Sequence, residues 1–282
     1  MDQLRLARVL SEAERKRHTP GKQTAVCSVP VPPSQPSFRE RYERDGFIVV
    51  KGLLKGPRLS RFLHAAEALL AIPVGAPVPL WKFYEDCSES KEPVLIRVER
   101  FTYLFPEWRR FALEGELHRR TSALLGEEAV LFKEKLIVKP PGGDAIGPHQ
   151  EMHTDWREYG DSFLVAAVAI DRCTSANGCL EVTAGDHKRG LIGKHGTTIE
   201  GAARRALDFR KIRLSPGDCL FFDAWTPHQS GPNLTGAPRR ILFLAYNRRS
   251  AGDHYERYFN DKAAQYWPGR KRRSNAVRVV SV

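Results

Sequence analysis

Pro216-Gly217-Asp218-Cys219-Leu220-Phe221-Phe222-Asp223-Ala224-Trp225-Thr226-Pro227-His228-Gln229-Ser230-Gly231-Pro232-Asn233 is the stretch on which the fold turns. A Pro-Gly-Asp turn opens it, four apolar residues follow at strand length, and Gly231-Pro232-Asn233 closes it. The same rhythm extends outward. β-type runs at residues 130–138, 163–170, 180–183, 210–214, 219–222 and 241–246 alternate with Pro140-Pro141-Gly142-Gly143-Asp144 and Ala176-Asn177-Gly178. Short strands punctuated by turns predict a sandwich or barrel, mainly β with flanking helices (α+β). Residues 39–46 read as a short helix ending in glycine, followed by the strand Phe47-Ile48-Val49-Val50. Residues 59–71 and 106–125 read as helices, the second opening on Pro106 and closing before Gly126.

The full chain of 282 residues is long enough for a substantial core, and its 41% apolar content with 14 Phe excludes a disordered chain. The longest apolar run, residues 163–170, is far short of the ~20 residues of a membrane span. No apolar leader follows Met1, so a cytoplasmic protein is expected. Five cysteines without C-x-x-C spacing read as reduced thiols, and Cys173, Cys179 and Cys219 sit beside apolar strands as small hydrophobes. Forty-five Lys and Arg against 33 Asp and Glu leave +12, a balance that favours anionic partners. The expected organisation is a basic, Pro-rich arm over 1–37, a single domain with N-terminal helices over 38–260 and a basic tail over 261–282.

Two histidine settings carry the chemistry. His149-Gln150-Glu151 is a His-x-carboxylate pair, and in extended chain residues two apart point to the same side. His228 from a distant strand completes two histidines and one carboxylate, a face that leaves three positions open on an iron(II) ion. His153-Thr154-Asp155 offers a rival frame four residues on.

With Tyr42-Glu43-Arg44-Asp45-Gly46, Lys139-Pro140-Pro141-Gly142, Pro148-His149-Gln150-Glu151, Asn177-Gly178-Cys179-Leu180-Glu181, Pro216-Gly217-Asp218 and His228-Gln229-Ser230-Gly231-Pro232-Asn233 in this order, the chain resembles the phytanoyl-CoA dioxygenase family over residues 42–246. The resemblance implies a double-stranded β-helix, the cupin-like jelly roll, and an oxygenase that uses iron(II), 2-oxoglutarate and O2. It implies hydroxylation of an unactivated C–H bond of a small polar or anionic metabolite, with succinate and CO2 released. It also implies His149, Glu151 and His228 as metal ligands, with Arg239, or its register alternative Arg240, pairing the distal carboxylate of 2-oxoglutarate. Ser230 and Gln150 would assist that co-substrate, and His153, Asp155, Trp156 and Trp225 would line the substrate pocket. The family usually carries Asp where this chain has Glu151. Desaturation, epoxidation or ring closure by the same oxidising chemistry is one alternative. A nucleic-acid-binding protein with a vestigial iron site is the other. The principal partner expected is a small molecule, with no membrane and no nucleic acid, and the residues leave the oligomeric state open.

Overall fold

Turn chemistry and burial set the elements in the computed structural model, which describes residues 36–74, 76, 78–85, 93–266 and 277–281. Residues 36–282 form one compact unit. The basic runs at 15–18 and 269–273, the Pro-rich stretch, Cys27 and Cys87 lie outside the described residues.

Helix α1 (Phe38–Asp45) is closed by a reciprocal capping box: the Glu40 backbone N–H donates to Ser37 Oγ and the Ser37 N–H to Glu40 Oε2. It leads into strand β1 (Phe47–Val50), and α2 (Gly56–Ala71) follows with Pro57 in its first turn. The single helix expected over 106–125 is two, α3 (Pro106–Leu113) and α4 (Gly115–Leu125). Glu114 is extended and Gly115 has φ 75°, so the chain turns a corner there. The break lets Trp108 and Ala112 on one helix, and Leu117 and Leu124 on the other, face the same core.

Eight strands form the larger sheet: β1, β2 (Trp81–Glu85), β3 (Val94–Glu99), β4 (Ala129–Lys139), β6 (Phe163–Ala169), β9 (Cys219–Asp223), β11 (Arg239–Arg248) and β12 (Val277–Ser281). Their order is β1-β9-β6-β11-β4-β3-β2-β12, antiparallel throughout. The smaller sheet is β5 (Ile146–His149), β10 (His228–Ser230), β7 (Leu180–Val182) and β8 (Arg210–Ile212). The expected double-stranded β-helix is the fold found. One apolar cluster, around Phe62, Trp108 and Tyr246, lies between the large sheet and the helices. A second, around Phe132, Trp156 and Phe222, fills the space toward the small sheet. All seven residues of β6 are buried because both of its faces are covered, which is why its sequence is a continuous apolar run and not an alternation.

After the short helix α5 (Gly201–Arg205), the boundary expected at 260 cuts helix α6 (Tyr255–Tyr266), whose Tyr255, Phe259 and Lys262 are buried at helical spacing. Residues 277–281, read as tail, pair with β2; Val277, Val279 and Val280 suit an edge strand better than a frayed end. Among the described residues no helix is long and apolar enough to cross a membrane, and Cys173, Cys179 and Cys219 are free and buried.

Candidate metal centre

Antiparallel pairing of β5 with β10 places His149 directly opposite His228, with ring centroids 4.2 Å apart. Gln150 is still extended, so Glu151, the first residue of a 3₁₀ turn, returns to the His149 side. The ligand atoms of His149, Glu151 and His228 all lie within 4.8 Å of one another. His228 Nε2 is 3.8 Å from Glu151 Oε1.

Each imidazole is oriented from behind. His149 Nδ1 is 2.9 Å from the Gly147 carbonyl and His228 Nδ1 is 3.0 Å from the Thr226 carbonyl. A carbonyl only accepts, so these contacts put the protons on Nδ1 and leave both Nε2 lone pairs facing Glu151. Burial, and then the charge of His149, lower the His228 pKa to about 3, and burial lowers that of His149. Burial works to raise the Glu151 carboxyl, yet the charges of Lys135 and then Lys133 hold it well below the usual carboxylate range. Two neutral imidazoles and an ionised carboxylate, turned inward together, are the protonation states that a divalent metal requires. The residues therefore fit iron(II), and the longer Glu reaches the common point. Lys135 Nζ donates to Glu151 Oε1 at 2.6 Å and supplies the balancing charge in this structure.

The rival frame separates. Asp155 is turned to solvent by the second 3₁₀ turn, with the exposed His195 3.8 Å from it. The His153 ring stands 5.7 Å from that of His149, with a buried Nδ1 that has no hydrogen-bond partner. His153 thus lies beside the centre, and Asp155 does not line it.

Arg239 and Arg240 are told apart by strand alternation. Arg240 points outward and forms a bidentate pair with Asp171 at 2.8 Å on both nitrogens, so it is not available to a co-substrate. Arg239 is buried, and Nη2 donates to the Gly178 carbonyl at 2.8 Å. Gly178 has φ 72°, and a Cβ there would stand 2.3 Å from the Gly231 oxygen, so the turn requires glycine. Lys139, the cross-strand neighbour of Arg239, donates to Ser230 Oγ at 2.9 Å. Burial, and then the charge of Arg239, lower the Lys139 pKa to about 8.

The co-substrate role expected of Gln150 is corrected. As the middle residue of the pair it points the opposite way. Its amide donates to the Gly190 and Trp225 carbonyls and accepts from the Ile192 N–H, which pins the ligand segment to two loops. Trp156 packs in the inner core against Phe132 and Phe163, and Trp225 spends its indole N–H on the Asp161 carbonyl. Sequence reasoning missed the lysines of β4: Lys133, Lys135 and Lys139 all lie on its barrel side. The signal was present, since charged residues at alternate positions inside an apolar strand are not solvent-facing when the opposite face also carries Leu136 and Val138.

The profile of the phytanoyl-CoA dioxygenase family matches residues 42–241. The methylphosphonate hydroxylase of Gimesia maris is 32% identical over 230 residues, 80% of this chain and 86% of that protein. A 2-aminoethylphosphonate dioxygenase from an uncultured bacterium is 30% identical over 237 residues, 83% of this chain and 89% of that protein. Among solved structures, apo EctD from S. alaskensis superposes with TM-score 0.64 at 25% identity, covering 75% of this chain and 76% of that one. The epimerase SnoN, bound to Fe3+, α-ketoglutarate and nogalamycin RO, shares the fold with TM-score 0.62 at 21% identity, over 82% of this chain and 91% of that one.

Proposed function

The chain belongs to the phytanoyl-CoA dioxygenase family and is an iron(II)- and 2-oxoglutarate-dependent dioxygenase, and from that premise we propose that it hydroxylates a small phosphonate. The observation that carries the reading is the inward-facing set of His149, Glu151 and His228 with both imidazoles proton-anchored at Nδ1. The two phosphonate-oxidising relatives support the substrate class.

His149, Glu151 and His228 hold the iron, and Gly147 and Thr226 fix the imidazole tautomers through their carbonyls. The bound iron supplies the oxidative chemistry that couples conversion of 2-oxoglutarate into succinate and CO2 to oxidation of a substrate C–H bond. Arg239 pairs the distal carboxylate of 2-oxoglutarate, because its planar guanidinium has donors left after the single short bond to Gly178. Lys139 and the Ser230 hydroxyl extend that cationic wall. Gln150 acts as a positioning residue for the ligand segment, and the buried aromatic floor around Phe132 and Trp156 keeps bulk water away. Cytoplasmic residence suits the three free, buried thiols.

The test is succinate formation by the iron-loaded protein with 2-oxoglutarate and O2, comparing methylphosphonate and 2-aminoethylphosphonate with matched carboxylates and sulfonates. Phosphonate-dependent succinate and a hydroxylated product are expected. Stimulation by carboxylates alone would refute the substrate assignment.

A further inference from the structure

Lys133 poses an electrostatic problem. Its side chain is buried on the barrel side of β4, yet among the described residues no carboxylate lies within ion-pair distance of its ammonium. Its hydrogen bond is to Tyr258 Oη at 2.9 Å, and it lies 5.0 Å from the ring centroids of both Trp156 and Tyr258. Two of its three N–H donors are left over. A buried cation without a counter-charge is costly unless something else supplies one.

The neighbouring carboxylates are already committed. Glu99 faces Arg97 at 3.2 Å and is bonded by Lys262. Glu151 takes Lys135 at 2.6 Å. Among the described residues these two carboxylates are thus taken by Lys135, Arg97 and Lys262, and neither lies within ion-pair distance of Lys133. Glu151 has one charge to give, and a metal held there draws on it, so Lys135 then also faces the centre without a full counter-charge. Lys133 precedes Lys135 by two residues on β4, and both ammoniums lie against rings of the inner cluster, Trp156 and Phe243. The excess lies beside the metal centre, on a different part of β4 from Lys139, the residue that pairs with Arg239 of β11.

We propose that Lys133 and Lys135 form the headgroup clamp of the substrate site, holding a doubly charged tetrahedral oxyanion of the phosphonate class. This rests on the phosphonate reading above. Tyr258 orients Lys133, and it comes from α6, which lies beyond residue 241 where the family match ends. Two adjacent ammoniums suit a phosphonate dianion better than a neutral amide or a single carboxylate, because only the dianion offsets both charges.

The experiment is calorimetric titration of the anaerobic protein, loaded with iron(II) and 2-oxoglutarate, with methylphosphonate. The visible band of the iron–2-oxoglutarate chelate is recorded in the same sample. Lys133→Met is expected to weaken methylphosphonate binding at least tenfold while the band and the 2-oxoglutarate affinity stay as in the wild type. Lys133→Arg is expected to bind within a few-fold of it. Tyr258→Phe leaves the ring in place and is expected to weaken binding by two- to fivefold, which keeps the proposal testable if Lys133→Met does not fold. Wild-type-like methylphosphonate binding in Lys133→Met, or in Tyr258→Phe if that is the only folded variant, would overturn the clamp. Loss of 2-oxoglutarate affinity with phosphonate binding intact would also overturn it, and would assign the charge to the co-substrate. A band with no methylphosphonate heat in the wild type defeats the clamp and leaves the dioxygenase standing. Absence of the band defeats the reading beneath it.

Discussion

Replacing Arg239 by methionine should separate two quantities that usually fall together. The guanidinium is 1% exposed, with one short acceptor, the Gly178 carbonyl at 2.8 Å, and a marginal one, the Asn177 carbonyl at 3.5 Å. Removing it leaves the Gly178 oxygen unpaired, which costs about 1–3 kcal/mol. It also removes a buried cation whose desolvation costs several kcal/mol in the absence of a partner anion. The two effects oppose each other, so the metal-free Arg239→Met protein should melt no lower than the wild type. Binding of 2-oxoglutarate should behave quite differently. Truncating one side of a buried, hydrogen-bonded charge pair costs about 2–5 kcal/mol. At about 1.4 kcal/mol per factor of ten, that is a loss of roughly 30-fold to several thousandfold in affinity. Thermal denaturation and an anaerobic 2-oxoglutarate titration of the iron-loaded protein read the two effects side by side. A variant that melts several degrees lower yet binds 2-oxoglutarate normally would refute the reasoning and make Arg239 a packing residue.

Three further outcomes follow from the same geometry. His228→Ala should abolish iron binding measured by metal analysis after gel filtration, whereas His153→Ala, outside the ligand set, should retain one iron per chain. Gly178→Ala forces a left-handed residue and a 2.3 Å contact on the Gly231 oxygen, so chemical denaturation should find a loss of roughly 2–4 kcal/mol. Because the Gly178 carbonyl holds Arg239, the folded fraction should also bind 2-oxoglutarate more weakly. Burial raises the Asp223 pKa to about 6 from an ordinary 3.8. The folded state then binds this proton more tightly than the unfolded state, so stability falls as pH rises from about 4 through 6. Asp223→Asn should accordingly gain stability at pH 7, on the order of 2–3 kcal/mol, and gain little at pH 4.

Much of the jelly roll was legible because its central strands bury both faces or sit between strong turns, and residues 163–169 and 219–223 are the clearest cases. Strands β2 and β3 were not, since Lys82, Glu85, Arg97 and Glu99 interrupt their apolar pattern. The reason is tertiary: Lys82 reaches back to the carbonyls of Leu70 and Ile72 at the end of α2, and Glu99 joins the buried charge cluster. The metal ligands were readable from spacing, because period two survives through Gln150. Which of Arg239 and Arg240 faces inward was not readable, for it depends on the register of β11 against β4 and β6. The same period two that pairs His149 with Glu151 turns Gln150 away from the centre, a consequence the motif resemblance hides. Lys133 and Lys135 were passed over because charge inside a strand reads as an exposed face until the covering sheet is known.

The most direct test of the central claim is an anaerobic titration of metal-free protein with iron(II) and then 2-oxoglutarate, following the visible charge-transfer band of the chelate. The account predicts a band that saturates at one iron per chain, fades in Glu151→Ala and is absent in His228→Ala. A wild-type protein that binds no iron, or one whose band is indifferent to both substitutions, would contradict it.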